Sequence, residues 1–287
     1  MSLSAKITVK EVFLSACERN DLATVRALLP IGADADWKKD DGIGSAGLHF
    51  AAAENYMGLL ELLLAHGADV NIKDKSMGTP LMVACYSGHE NIARRLSQVP
   101  GVEVNARDHN GRTAVYHAVI RVQPACVSVL RGVAGVDWNI RTNYGYNPLT
   151  LAVEGGLGDI LQILLSVPHP HLDLSVTDSS GRNIAQIAVE GNSQRCLELL
   201  SRDRRVDWNR KNGDGHDGDT PLIFCLKNDQ IEMARCLINT PGVDLDMSDS
   251  NGHYPETIAR LVNRLLNARG SFGFIFKGIG IRERSWA

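Results

Sequence analysis

The fold is decided by residues 78–96, whose sequence is GTPLMVACYSGHENIARRL. Apolar residues recur at helical spacing on both sides of Gly88-His89, which predicts two short helices joined by a turn. Thr79 is suited to cap the first helix, and Pro80 is suited to its first turn. Neither helix is long enough to bury its apolar face alone, so this unit needs neighbours.

The neighbours are copies of the same unit. Positions equivalent to Thr79 recur along the chain at intervals of 33 to 37 residues. A period of this length predicts a stacked solenoid. Five residues after each of these positions the chain has a residue with a small side chain, which allows one helix pair to pack closely against the next. This column consists of Ala16, Ala51, Ala84, Ala118, Ala152, Ala188, Cys225 and Ala259.

Turn residues recur with the same period. The turn between the two helices of a unit holds residues that tolerate left-handed backbone. The sequences 109–111 (HNG) and 143–145 (NYG) predict hairpin tips ahead of the first helix. The predicted inter-helix turn residues are Asn20, Asn55, Gly88, Gly156, Asn192 and Asp229.

Three tryptophans, Trp37, Trp138 and Trp208, are predicted to share one column with Val70 and Leu174. An aromatic residue in a column of aliphatic residues is predicted to pack where successive loops stack. The alternative is an exposed anchor for a partner, because tryptophan is enriched at binding hot spots.

Three motifs resemble the ankyrin repeat family: Thr79-Pro80-Leu81, residues 66–71 (HGADVN) and residues 108–113 (DHNGRT). The resemblance covers about eight units between residues 5 and 268. It implies an all-α solenoid of stacked helix-turn-helix units with short β-hairpin loops.

The resemblance also predicts how the chain is organised. We expect a degenerate N-terminal capping repeat at 1–40, six repeats at 41–249 and a C-terminal capping helix at 250–270. Residues 271–287 form a tail of unknown role. The repeats are expected to make one continuous domain, because each unit buries its apolar face against the next.

Composition argues against several classes of function. The net charge of −3 argues against nucleic-acid binding and against attraction to anionic membranes. No apolar run reaches transmembrane length, and the N-terminus is unlike a secretory signal. The six cysteines lack metal or disulfide spacing, which favours buried free thiols in a reducing compartment. We therefore expect a monomeric protein of the cytoplasm, or alternatively of the nucleus.

Three segments resemble ligand-binding motifs in part. Residues 42–47 spell GxGxxG, but the preceding segment is polar where a dinucleotide site needs a buried strand. Residues 211–219 have the Asp/Asn/Gly spacing of a calcium loop without its bidentate glutamate. Residues 168–171 (PHPH) supply two histidines without a third ligand. We expect no catalytic, cofactor or metal site.

The resemblance implies a protein partner that contacts the hairpin tips and the exposed end of the first helix, on a concave surface. Tyrosine and arginine at adjacent positions offer large contact area and directional donors. The alternative is ordinary solvated surface. The predicted contact residues are Tyr86, His109, Arg112, Ile120, Arg121, Tyr144 and Tyr146.

Two further roles come from the resemblance. Ankyrin proteins are substrates of an asparaginyl hydroxylase, and Asn71, with Leu63 eight residues before it, resembles its target. The alternative is that Asn71 only bonds the loop backbone. The main expectation is a non-catalytic interaction scaffold; the alternative is the targeting part of a larger assembly, as a ubiquitin-ligase receptor or as an inhibitor that sequesters its partner.

Overall fold

The computed structural model describes residues 8–168, 170–211, 218–255 and 257. These residues form seven pairs of α-helices without an extended sheet, and two isolated β-bridges join Lys38 to Ala46 and Thr177 to Asn183. A short 3-10 helix, Leu29–Ile31, follows the first pair. The helices are α1 Val9–Glu18, α2 Leu22–Leu28, α3 Gly47–Ala53, α4 Met57–Ala65, α5 Pro80–Ser87, α6 Glu90–Ser97, α7 Ala114–Ile120, α8 Pro124–Arg131, α9 Pro148–Glu154, α10 Gly158–Leu165, α11 Ile184–Glu190, α12 Gln194–Leu200, α13 Pro221–Lys227 and α14 Ile231–Ile238.

The first helices of the repeats begin where the sequence predicts. Thr79 and Thr113 accept hydrogen bonds from the amides three residues ahead, and Pro80 occupies the first helical turn. Ala46 has no side-chain oxygen for this purpose. Its own amide instead donates to Nδ1 of His49 at 3.1 Å, so the start of α3 is fixed from the third helical position.

The small-residue column is the contact between neighbouring repeats. Its seven described members, six alanines and Cys225, are completely buried. A small side chain at this position lets α3 pack against α5 and α5 against α7. The predicted all-α stack of helix pairs is therefore confirmed in its central packing feature.

The turns between paired helices confirm the predicted left-handed residues and add one. Val122 occupies the equivalent turn between α7 and α8 with φ 54°, although valine is β-branched. Left-handed backbone is costly for such a residue. The predicted turn residues have φ 57° at Asn20, 59° at Asn55, 79° at Gly88, 64° at Gly156, 50° at Asn192 and 57° at Asp229.

Two of the three tryptophans pack as predicted. Trp138 and Trp208 are buried, whereas Trp37 is half-buried and meets Phe13 edge to face at 5.8 Å. The predicted column was two residues wrong for Trp37. The loop hydrogen bond from the Asp36 amide to Asp34 places Ala35, not Trp37, in that column.

Backbone contacts divide the chain into two compact units. In the first, α1, α3, α5 and α7 contact one another in order, and so do α2, α4, α6 and α8. In the second, α11 contacts α13 and α12 contacts α14. The first unit takes the described residues up to Ala152 together with Gln162–Asp173, and the second takes Val153–Leu161 and the described residues from 174 onward.

Several predictions lie outside the described residues. These are most of the capping helix at 250–270, the tail at 271–287, most of the calcium-like loop at 211–219, and His169. The predicted boundaries at residues 40, 249 and 270 stay predictions.

Candidate partner-binding surface

Three consecutive hairpins of the first unit are joined through their backbones. The amide of His109 donates to the carbonyl of Ser76 at 2.9 Å, and the amide of Asn143 donates to the carbonyl of Asn110 at 2.9 Å. These bonds hold hairpins 73–78, 107–112 and 141–146 side by side. We call these hairpins, with α5, α7 and residues 121–122 that follow α7, the hairpin–helix surface.

Asp108 ties its hairpin to α7. Its Oδ1 accepts from the amides of Asn110 and Arg112, both at 2.8 Å, and its Oδ2 lies 3.1 Å from Nε2 of His117. Burial lowers the pKa of His117, while the neighbouring carboxylate of Asp108 acts in the opposite direction. The carboxylate is thus committed to the fold and is largely shielded from any partner.

The exposed ends of α5 and α7 meet at an aromatic cluster. The guanidinium carbon of Arg121 lies 4.5 Å from the ring centre of Tyr86, within cation–π range. The His117 ring packs edge to face on the same tyrosine at 5.9 Å. Tyr86 nevertheless keeps 46% of its surface exposed. Its position is fixed before a partner arrives, which reduces the entropy lost on binding.

The other predicted contact residues fall into two groups. Tyr144, 61% exposed, and His109 stand at hairpin tips, and Ile120 is exposed at the end of α7. Arg112 and Tyr146 are only partly exposed, and the Arg112 guanidinium lies 5.7 Å from the ring centre of Tyr116. The structure therefore brings Tyr86 and Arg121 into contact and relates the hairpin residues through their backbones.

Sequence reasoning missed three residues of this surface: Met77, His117 and Val122. His117 was detectable from its position nine residues after Asp108. It lies in the helix that follows the hairpin, within reach of the Asp108 carboxylate. Met77 and Val122 carry no periodic signal, since each replaces the glycine or turn residue expected at its position.

The hairpin–helix surface carries a net positive charge, whereas the whole chain carries a net charge of −3. Its segments contain six basic residues and two acidic residues, Asp74 and Asp108. Asp74 resembles Asp108 in that its Oδ1 accepts from the amides of Ser76 and Gly78, both at 2.8 Å. The acidic groups are thus bonded within the hairpins. The basic residues are Lys73, Lys75, Arg107, Arg112, Arg121 and Arg141.

Asn71 lies in the loop after α4, apart from this surface, and its side chain joins two loops. Its amide nitrogen donates to the carbonyl of Gly101 at 2.8 Å, and its oxygen accepts from the amide of Glu103 at 2.8 Å. Asn105 repeats the pattern with the next loop at 2.7 and 2.9 Å. The predicted backbone-bonding role of Asn71 is therefore present, and its modification stays a prediction.

The six cysteines are free thiols, and all but Cys236 are buried. Burial raises the pKa of Cys17 to about 12, which keeps that thiol protonated and unreactive. Among the described residues, no helix combines the length and apolar character needed to cross a membrane. No group of three metal-ligating side chains occurs within the same residues.

Comparison with known proteins supports the repeat architecture. A family model described as ankyrin repeats (3 copies) matches residues 13–108, 97–178, 124–212 and 157–249. The crystal structure of the ankyrin repeat domain of Bcl-3 superposes with a TM-score of 0.66 at 24% identity, covering 74% of this chain and 92% of that one. That likeness establishes the fold alone.

Curated relatives are longer than this chain. The B-cell lymphoma 3 protein homolog of Mus musculus is 26% identical over 240 residues, covering 80% of the chain and 52% of the relative. Rabankyrin-5 of Homo sapiens is 28% identical over 170 residues, covering 59% and 14%. The E3 ubiquitin-protein ligase XBAT32 of Arabidopsis thaliana is 25% identical over 207 residues, covering 63% and 38%. The chain thus spans about half of the first of these and less of the others.

The helix pairs are stacked, hydrogen bonds join successive loops, and one side-chain surface is exposed. These features define a helical repeat protein of the protein-interaction class. Because the family model matches most of its length, the chain belongs to the ankyrin repeat family. Ankyrin repeats are protein-interaction domains, and the fold is generally a non-catalytic module.

Proposed function

We propose that the hairpin–helix surface of the first unit binds another protein and that the chain works as a non-catalytic interaction scaffold. The observation that carries the proposal is the Tyr86–Arg121 contact, an exposed aromatic ring oriented by a guanidinium at 4.5 Å. Tyrosine and arginine are the residue types enriched at binding hot spots. Exposed Tyr144 extends the same surface along the hairpin tips.

The test is a double change, Tyr144→Ala with Tyr146→Ala, in the full chain. Quantitative capture from native lysate should show one protein held by the original chain and lost by the double variant. Thermal stability should change by less than about 1 kcal/mol, because neither ring is buried in the core. Tyr254→Ala removes a tyrosine outside the surface that is 52% exposed, against 61% for Tyr144, and serves as the control. Capture that survives the double change would contradict the proposal.

A finer role within a larger assembly is also proposed. XBAT32 is named as an E3 ubiquitin-protein ligase, and this chain covers only 38% of its length. A chain that resembles part of a ligase fits a targeting subunit, which would hold a substrate for another component. If the captured protein co-purifies with a ubiquitin ligase, this role gains support; a stable binary complex would favour sequestration instead.

A second proposed role is modification of Asn71 by an asparaginyl hydroxylase. The half-exposed position of the residue favours it, although its amide is already bonded to Gly101 and Glu103. The hydroxylase must therefore open this loop before it reaches the side chain. Peptide mass spectrometry after incubation with such an enzyme should find one added oxygen on Asn71, and an unmodified peptide would exclude the role.

A further inference from the structure

Two exposed apolar residues of the hairpin–helix surface lie on left-handed backbone. Met77 has φ 63° and Val122 has φ 54°. A side chain beyond glycine is strained in this region, and a β-branched one most of all. Met77 is 37% exposed and Val122 is 53% exposed, so burial offsets little of the strain.

The fold does not require these residue types. At the position of Met77, every other described hairpin has glycine with positive φ, and at the position of Val122 every other inter-helix turn that the structure describes has asparagine, glycine or aspartate. The same backbone is thus formed elsewhere by residues suited to it. The hairpin glycines are Gly44, Gly111, Gly145, Gly181, Gly218 and Gly252.

Both exceptions fall on the proposed binding surface. Met77 belongs to the hairpin before α5, and Val122 follows α7 directly after Arg121, the residue that lies over Tyr86. Ile120, two residues before Val122 in the sequence, adds an exposed apolar side chain. Backbone strain that the fold does not need is a recurrent property of functional positions.

We infer that Met77 and Val122 are partner-contact residues retained at the expense of stability, and that the surface they flank binds an acidic protein segment with apolar side chains. The inference rests on the proposed function and specifies its partner. Lys73 is paired at 3.5 Å with Glu103, which lies outside the surface, but the five other basic residues against two internally bonded aspartates make the surface complementary to carboxylates. Methionine and valine supply the apolar contacts, methionine being adaptable in shape.

Stability measurements test the strain without a partner. Val122→Asn and Met77→Asn should each raise the urea midpoint of the full chain, because asparagine tolerates left-handed backbone. Val122→Thr keeps the β-branched shape and should leave the midpoint nearly unchanged. The reverse change, Asn55→Val, introduces the same strain at an equivalent turn and should lower it. A lower midpoint for Val122→Asn would overturn the strain argument.

Binding is tested with random dodecamer peptides displayed on phage and selected on the immobilised full chain. Enriched sequences should combine Asp or Glu with Leu, Ile, Met or Phe, and synthetic copies should bind Val122→Thr about tenfold more weakly, a loss of about 1.4 kcal/mol. Ile31→Thr, which removes an exposed apolar side chain away from the surface, should leave affinity unchanged.

Three results would overturn the inference: no enrichment, enrichment of basic or uncharged peptides, or equal affinity for Val122→Thr. Tighter binding of a labelled single-stranded oligonucleotide than of the peptides would also overturn it. If the peptides lose affinity for the Tyr144/Tyr146 double variant but not for Val122→Thr, the proposed function stands and this inference alone fails.

Discussion

At the scale of single residues, His49 shows how one side chain links two repeats. Its Nδ1 accepts from the Ala46 amide at 3.1 Å, and its Nε2 lies 3.0 Å from the carbonyl of Gly78 in the next hairpin. Only a neutral ring can accept at one nitrogen while donating at the other. Burial lowers the pKa of His49, while the bond to Gly78 acts in the opposite direction.

We predict that stability falls as the pH falls below about 6.5, the ordinary pKa of histidine. Because the folded pKa lies below the unfolded one, the unfolded chain binds more protons between the two values. The contribution of neutral His49 is complete above the unfolded pKa and is lost as the pH falls through the folded pKa. His117, whose pKa is also lowered by burial, contributes in the same direction.

The variant His49→Gln tests this prediction. Gln186 holds the equivalent position in a later repeat, where it accepts from the Asn183 amide at 2.8 Å and donates to the Arg210 carbonyl at 2.9 Å. Glutamine does not titrate, so urea unfolding of the variant at pH 8 and pH 5.5 should differ less than that of the original chain. An unchanged pH dependence would contradict the assignment to His49.

The sequence could predict only part of the candidate site at this scale. The positions of Tyr86 and Arg121 at the exposed ends of adjacent first helices were predictable, because the repeat register alone fixes them. Their cation–π contact, and the strained φ of Val122, depend on backbone torsions and rotamers. Hydrophobic periodicity carries no information about either.

At the scale of elements, asparagine side chains join successive loops. The amide nitrogen of Asn105 donates to the carbonyl of Gly135 at 2.7 Å, and its oxygen accepts from the amide of Asp137 at 2.9 Å. Asn139 and Asn209 make the same pair of bonds to the loops that follow them. Such bonds satisfy loop backbone that has no sheet partner.

Asn105→Ala should therefore lower the free energy of unfolding by about 1 kcal/mol, since two exposed backbone groups exchange a hydrogen bond to the side chain for one to water. Asn105→Asp keeps the acceptor but turns a carboxylate oxygen towards the Gly135 carbonyl, so it should lower stability at least as much. Urea unfolding of the two variants beside the original chain measures the difference. Equal stability of Asn105→Ala and the original chain would show that water replaces both bonds without loss.

The elements themselves were predictable because their signals are repeated. Threonine caps, prolines at the first turn and the alanine column each occur several times, so an error in one repeat is corrected by the others. The register error at Trp37 arose because that tryptophan was aligned with Trp138 and Trp208, although residues 32–34 (GAD) repeat residues 67–69. The hydrogen bond from the Asp36 amide to Asp34 is the one that the Asn71 amide makes to Asp69, and it fixes the alignment.

At the scale of the molecule, repeat architecture implies that each repeat depends mainly on its neighbours. The ion pairs of Lys227 in the second unit allow one repeat to be destabilised locally. The Lys227 ammonium lies 2.7 Å from Asp219 and 3.0 Å from Asp249, and both carboxylates are buried. Burial by itself raises the pKa of Asp249, but bonds from the His253 amide and Lys227 outweigh it and hold that pKa well below its usual range.

Lys227→Met should cost about 2–3 kcal/mol, because it leaves two buried carboxylates without their cation; partial exposure of the lysine keeps the loss at the lower end for buried pairs. Hydrogen exchange should accelerate in α13 and α14 and stay unchanged in α3 to α6, because energetic coupling in a repeat array falls off beyond adjacent units. Uniform acceleration along the chain would instead mean that the two units unfold as one cooperative block, and a binding-site variant would then report on global stability as well as on contact.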